Sequence, residues 1–289
     1  MLFSIVIPTY NNAATLRKSI ESAINQQYHL NYEVLVVNNA STDHTLETLN
    51  RFKGKIRVIT NSRTVSLIEN HNICLREATG DYVIFCHSDD MLLPDALENY
   101  HSKLELRDFP PKYVLWGKSV FRDFQQNWEK SGVGLEQIAR GENAIEAFMP
   151  GGLTPSGTCF SRKSFLDAGG YIVTDTVIAP SDMVSMWRLV LNGFQFEMSG
   201  RQFFLREYAS TATERPRKEW IEAKVIAVKN FIETSNPLEI AILKKYLSGI
   251  KDMDTTTLLA LRKNKLIGPL SMIRYFSTKL MKKERYFFS

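Results

Sequence analysis

A chain of 289 residues, 44% hydrophobic and 23% charged, can bury a large core and has an ordinary globular make-up. Its net charge of +5 is lopsided: residues 244–289 hold 11 of the 36 Lys and Arg but 3 of the 31 acids, a tail of +8 on a remainder of −3, which excludes a surface built throughout for nucleic acid. The three scattered cysteines exclude a disulfide frame or zinc site and point to reduced thiols in a cytoplasmic setting, no run approaches a membrane span, and the N-terminus lacks the basic region of a signal peptide.

In chain order, Phe3 to Ile7 reads as a buried strand closed by the turn Pro8-Thr9-Tyr10-Asn11-Asn12. A helix over 13–27 follows, with Leu16, Ile20, Ala23 and Ile24 at helical spacing. Glu33 to Val37 is a second strand. The polar turn Asn38 to Asp43 leads into a helix over 44–52, with Ser41 or Thr42 as its cap. Ile56 to Thr60 is a third strand, Leu67 to Ala78 a third helix, and Tyr82 to Cys86 a fourth strand, too short for a helix and rich in aromatic and β-branched residues. Strands alternating with helices through short turns predict a parallel, right-handed sheet of nucleotide-binding type. The fourth strand stops at His87-Ser88-Asp89-Asp90, at the sheet edge where open α/β folds bind ligands. Adjacent carboxylates there repel each other, and a hard divalent cation with oxygen ligands offsets that cost. The competing reading, Ser88 or Asp89 capping a helix that starts near Pro94, leaves the second acid without a reason.

Four segments taken together resemble the family 2 glycosyltransferases of GT-A fold: Ser4-Ile5-Val6-Ile7-Pro8-Thr9-Tyr10-Asn11, Glu33 to Asp43, Ala78-Thr79-Gly80-Asp81-Tyr82, and His87-Ser88-Asp89-Asp90 with Pro94. The resemblance covers residues 1–215 and implies a Rossmann-like, mostly parallel central sheet flanked by helices. A nucleotide-binding half would span about 1–95 and an acceptor half about 96–215, followed by a helical, basic C-terminal region over 216–289. It also implies a nucleotide-sugar donor, with a UDP-sugar expected, a Mn²⁺ or Mg²⁺ ion against the diphosphate, and an inverting mechanism. By the same resemblance Pro8, Thr9, Tyr10 and Asn12 line the donor site and Asn38 or Asn39 bonds the base edge. Asn72, His87, Ser88 and Asp89 contact the donor, and Asp89 and Asp90 hold the metal. Three positions depart from the family pattern. Asn38 stands where an aspartate is usual, which admits uracil but also other bases. His87 replaces the first acid of the acidic motif and would meet a ribose hydroxyl or the metal. His71 and Cys74 flank Asn72 where arginine and glycine are common.

Farther along, Tyr113 to Phe121 reads as a strand, 122–128 has no clean period, and 138–148 is helical. Met149 to Gly157 is a Gly/Pro loop that either shapes a substrate pocket or simply connects. Thr158 to Ser161 is a strand and Arg162 to Ala168 a helix. Val184, Trp187 and Leu191 make an amphipathic helix ended by Gly193. Asp182, in its first turn, matches the aspartate of the family's Glu-Asp motif, with Ser181 in place of the glutamate. The resemblance makes Asp182 the catalytic base; its other role would be a helix cap. Arg206 would meet the diphosphate or pair with Glu207. From 216 on, helices are expected over 220–233, 238–247 and 256–266. The basic, aromatic stretch 271–288 would lie on the inner face of an anionic membrane or pack as a helix. The expected role is bacterial cell-surface polysaccharide synthesis, such as O-antigen or capsule, on a glycan or lipid-linked acceptor. The alternatives are a non-catalytic sugar-binding module and a nucleotidyltransferase, for which the first turn lacks a basic, glycine-rich loop.

Overall fold

The computed structural model describes residues 2–123, 128–131, 155–173, 181–207 and 217–237, with six positions between 240 and 263. The expected helix over 138–148, most of the loop 149–157, the helix over 238–247, nearly all of 256–266 and the basic tail 271–288 lie outside the described residues.

The chain forms two compact units that interleave along the sequence. The first holds 1–138, 154–171 and 194–213, the second 139–153, 172–193 and 214–289. The first unit contains one sheet, with nine strands among the described residues. Its elements are β1 (Phe3–Thr9), α1 (Ala13–Ile24), β2 (Glu33–Asn38), α2 (Thr45–Asn50), β3 (Arg57–Thr60), α3 (Leu67–Glu77), β4 (Tyr82–Phe85), β5 (Asp90–Leu92), α4 (Ala96–Glu105), β6 (Tyr113–Asp123), β7 (Trp128–Ser131), β8 (Thr158–Ser161), α5 (Arg162–Asp167) and β9 (Gln195–Glu207). The order β3-β2-β1-β4-β8-β6-β9-β5, with β7 on β6, makes the sheet mixed. β1 is parallel to both β2 and β4, β2 to β3 and β6 to β9, whereas the pairs β4–β8, β6–β8, β6–β7 and β5–β9 are antiparallel.

The parallel part follows directly from the apolar runs. Every residue of β1 is buried, as are all of β4 and all but the first of β2, because helices cover both faces. β1 lies between β2 and β4, so the chain departs to one side for β2 and returns to the other for β4. That switch opens a crevice at the carboxyl ends of β1 and β4. Thr9 is in register with Asn38 there, and Phe85 ends β4 on the other side.

Of the elements not visible in the sequence, β7 is a short strand on β6, and two others bear on the site. β5 is only three residues long and begins at Asp90, so the second acid belongs to a strand rather than to a loop. β9 takes Arg206 into the sheet as the register partner of Asp90. The helix capping expectations also need correction. Ser41 and Thr42 do not cap α2; Asp43 accepts the Thr45 N–H instead, while Ser41 Oγ accepts from the Asn11 N–H. The helix near Pro94 starts after Asp95, so neither Ser88 nor Asp89 is its cap.

Gly80, ahead of β4, has a steric reason. A Cβ there would lie 2.6 Å from Ser4 N and 2.7 Å from Phe3 C, backbone atoms of β1 that cannot swing aside. Gly80→Ala is therefore expected to lower unfolding free energy by about 1–3 kcal/mol, the usual range for overpacking. Urea denaturation measures it, and an unchanged midpoint would mean that the two strands separate freely at this end.

In the second unit, α6 (Ser181–Leu191) packs against α7 (Arg217–Thr234). The Trp187 and Phe231 rings meet edge to face at 5.7 Å, and the Arg188 guanidinium lies over Phe231 and donates to Thr234 Oγ1. Arg217–Thr234 thus shares a unit with the helix that carries Asp182.

Candidate functional site

At the carboxyl edge of the parallel strands, three turns converge. The turn after β1 and the turn after β2 are laced together. The Asn11 side-chain oxygen accepts the Thr42 N–H, and Asn12 N–H donates to Thr45 Oγ1. Asn11 and Ala40 both adopt positive φ, 48° and 54°, a conformation that costs a residue with a Cβ and persists where surrounding bonds enforce it.

The acidic turn is held from both sides. Asn12 Nδ2 donates to Ser88 Oγ at 2.7 Å and Thr15 Oγ1 to the Ser88 carbonyl at 2.8 Å, while His87 N–H donates to Ser156 Oγ at 3.1 Å. Asn12 and Ser88 are thus bonded to each other. The one described end of the Gly/Pro loop, at Ser156, supports the turn. One ligand atom each from His87, Asp89 and Asp90 lies within 4.8 Å of the others. Asp90 is 0% exposed with Oδ2 3.8 Å from His87 Nδ1, and His87 is 24% exposed. Two carboxylates and an imidazole gathered so closely, one carboxylate fully buried, fit a divalent cation of the Mn²⁺ or Mg²⁺ kind in ligand type and number.

On the other flank, Tyr10 is 48% exposed, so its ring has a free face toward solvent, whereas Thr9 is 2% exposed. Asn38 is fully buried. Its Oδ1 accepts the Ser41 N–H, but its Nδ2, like Thr9 Oγ1 beside it in register, has no hydrogen-bond partner among the described residues. Buried polar atoms left this way cost about 1–3 kcal/mol each and mark a place where a ligand or a local adjustment is called for.

Two of the asparagines expected at the donor site have partners within the protein. Asn39 commits its amide to the protein: Oδ1 accepts from Val65 N–H and Asn61 Nδ2, and Nδ2 donates to the Val65 carbonyl. Asn72 grips the backbone of Tyr171 from both ends, Oδ1 taking its N–H and Nδ2 its carbonyl, each at 2.8 Å. Both amides thus tie elements of the protein together. Pro8 is buried within β1 and shapes its end. The Arg206 side chain and the residues after Glu207 lie outside the described positions, but its backbone is placed beside Asp90. In the second unit, Asp182 sits in the first turn of α6 with its carboxylate accepting the Met183 N–H.

A pair the sequence did not reveal is His71 and His87. Their Nε2 atoms are 3.0 Å apart, and His71 Nδ1 lies 2.8 Å from the carbonyl of Leu67, one helical turn back. Burial pushes the His71 pKa down to about 3, the nearby His87 adds to the shift, and the bond to Leu67 opposes it. Because the folded value lies below the ordinary 6.5, the unfolded chain takes up the proton first. Stability is then full above pH 6.5 and is lost as the pH falls toward 3, by up to about 1.4 kcal/mol per pH unit from this group. His71→Gln, with no ring to titrate, is expected to flatten the fall in urea midpoint between pH 7.5 and 5; an equal fall in both proteins would place the titration elsewhere.

Comparison with known proteins bears on the sequence of the first half and on the fold. Residues 4–147 match the sequence model described as glycosyl transferase family 2. The protein MT1568 of Mycobacterium tuberculosis is 29% identical over 188 residues, 59% of this chain and 56% of that one. The poly(ribitol-phosphate) beta-N-acetylglucosaminyltransferase TarS of Staphylococcus aureus is 30% identical over 108 residues, 34% of this chain and 18% of that one. These matches span well under two thirds of each relative. Among solved structures, TarS 1–349 in complex with UDP-GlcNAc superposes with a TM-score of 0.65 at 16% identity, over 86% of this chain and 72% of that one. The mannosyltransferase PcManGT of Pyrobaculum calidifontis, in complex with GDP-Man and Mn²⁺, gives 0.57 at 17% identity, over 96% and 84%. No helix among the described residues is long and apolar enough to cross a membrane.

Proposed function

Residues 4–147 place this chain in glycosyl transferase family 2, and from that premise we propose that it moves a sugar, with inversion, from a nucleotide-sugar donor to a hydroxyl of a glycan or lipid-linked acceptor. The observation that carries the reading is the convergence of His87, Asp89 and Asp90 within 4.8 Å at the end of β4. Asp89 and Asp90 would hold Mn²⁺ or Mg²⁺. The ion's chemistry there is to neutralise the diphosphate and so make it a better leaving group.

The chain's own residues supply the rest. Tyr10 offers a face on which a base can stack, and Asn38, with its oxygen engaged by Ser41, keeps a buried amide N–H without a partner among the described residues at the same edge. Arg206, whose backbone adjoins Asp90, is the candidate cation for the phosphates. Asp182 takes the proton of the acceptor hydroxyl as its oxygen attacks the anomeric carbon. The bond from that carbon to the diphosphate oxygen breaks on the opposite face, and the nucleoside diphosphate leaves with the electron pair. A UDP-sugar is the donor proposed first, since TarS is solved with UDP-GlcNAc. Cell-surface polysaccharide is the proposed setting.

The test is hydrolysis and transfer with a panel of UDP-, GDP- and dTDP-sugars, with and without Mn²⁺. Turnover of one of them supports the reading. Binding of a donor without turnover, in the presence of acceptor mixtures, would favour the non-catalytic sugar-binding module. The tail of +8 is proposed as a peripheral membrane contact on the cytoplasmic side. Deleting 270–289 is then expected to release the protein from anionic vesicles in a sedimentation assay at low salt. Equal sedimentation of both forms would assign the tail to packing instead.

A further inference from the structure

The proposed metal site takes its third ligand from a histidine, and the structure shows what orients that ring. A carbonyl oxygen carries no hydrogen, so the 2.8 Å contact between His71 Nδ1 and the Leu67 carbonyl requires the hydrogen to be on His71 Nδ1. The neutral ring then has its lone pair on Nε2, which lies 3.0 Å from Nε2 of His87. Two lone pairs cannot share that distance. His87 must donate, and its hydrogen sits on Nε2. The nitrogen of His87 that can serve as a ligand is then Nδ1, the one that faces Asp90 at 3.8 Å.

The relay is rigid. His71 stacks on Phe85, the last residue of β4, at 5.3 Å and 17°, and meets the Tyr171 ring edge-on at 5.8 Å. The bond from residue 71 to residue 67 is the i to i−4 contact that a helical side chain makes by leaning back over the preceding turn. Metal-bound histidines ordinarily have their other nitrogen fixed by a carbonyl or carboxylate. Here the carbonyl of Leu67 acts one ring removed.

We propose that His71 is a positioning residue that fixes His87 in the Nε2–H form and presents its Nδ1 as a neutral ligand beside Asp89 and Asp90, so that the site selects Mn²⁺ over Mg²⁺. The selectivity follows from ligand chemistry. Mg²⁺ favours carboxylate, carbonyl and water oxygens, whereas imidazole is better suited to later transition ions, and Mn²⁺ accepts both. The inference rests on the metal site of the proposed function, so the experiment separates the two.

Mn²⁺ is titrated into the full chain and followed by electron paramagnetic resonance, with and without UDP, and Mg²⁺ is added as competitor. His71→Met fills a similar volume but offers His87 only a weakly accepting thioether in place of the ring nitrogen. It is expected to weaken Mn²⁺ binding by about 10–100-fold, the usual effect of losing such a supporting partner. His71→Gln, whose side-chain oxygen can stand near the place of Nε2, is expected to recover most of that loss. His87→Asp is expected to bring Mg²⁺ competition closer to parity with Mn²⁺. Independently of any variant, long-range nitrogen-15 spectra of the metal-free wild type should show His87 as the Nε2–H tautomer and His71 as the Nδ1–H tautomer.

Unchanged Mn²⁺ affinity in a folded His71→Met protein, or His87 in the Nδ1–H form, overturns the relay while leaving the metal site standing. Undiminished Mn²⁺ preference in His87→Asp overturns the selectivity. No Mn²⁺ binding to the wild type in either arm overturns the metal site itself.

Discussion

Asp182→Asn is expected to lower glycosyl transfer by about 10²–10⁴-fold, the usual effect of removing a general base, with donor affinity nearly unchanged. Asparagine keeps the shape of the side chain and can still accept the Met183 N–H through its oxygen, so the local turn survives. What it loses is the ability to take a proton. The competing role, a cap for α6, would survive the swap, since asparagine caps about as well as aspartate, and the substitution would be close to silent. Steady-state transfer at saturating acceptor, alongside calorimetric donor affinity, distinguishes them. Near-normal turnover with an unaltered pH profile would move the base to another acid, and Glu207 and Asp175 would be tested next.

The second large effect is expected at the acidic turn. Asp90→Asn and Asp89→Asn should each abolish Mn²⁺-dependent donor binding in calorimetric titration while the far-ultraviolet spectrum stays native. Asp90 is the more informative of the two. Its carboxylate is buried beside His87, and its backbone begins β5, so an isosteric amide leaves the ladder to β9 intact and removes only the charge. A charged ligand atom in so dry a position contributes more to holding a cation than an exposed one, because little solvent screens it. Donor affinity that responds to Mn²⁺ equally in both variants and the wild type would remove the metal from this edge of the sheet.

How far the sequence foretold this depends on what kind of information each feature needs. β1, β2 and β4 were legible because strands buried on both faces write unbroken apolar runs, and the acids after β4 were legible because nothing else accounts for two together. β5 was not, since three residues carry no period, and β9 was not, because Ser199-Gly200-Arg201-Gln202 interrupts its pattern. The donor-site asparagines show a different limit. Asn38, Asn39 and Asn72 are the same residue type in equally plausible turns. Only packing reveals that Asn39 ties down Val65 and Asn72 clasps Tyr171, whereas Asn38 keeps a donor without a partner. His71 and His87 stood out separately as departures from the family pattern. Their contact appears only once α3 lies against β4, which sets the two rings face to edge at 5.1 Å.

The ladder between β5 and β9 also sets a timetable. Asp90 leaves the ribosome early, but its register partner, Arg206, follows more than a hundred residues later. Closing so long a loop is slow compared with local pairing. During synthesis β1, β2 and β4 can assemble, with β5 resting on α1 through the Leu92 N–H to Ser22 Oγ bond, while β5 still has no partner strand, so the crevice at the strand ends forms before the ladder that finishes the second acid's setting. A fragment ending near residue 147 would carry all of the family-matched sequence and yet lack the strand that pairs with β5. If the proposed site holds an ion, its affinity should therefore rise when β9 pairs with β5.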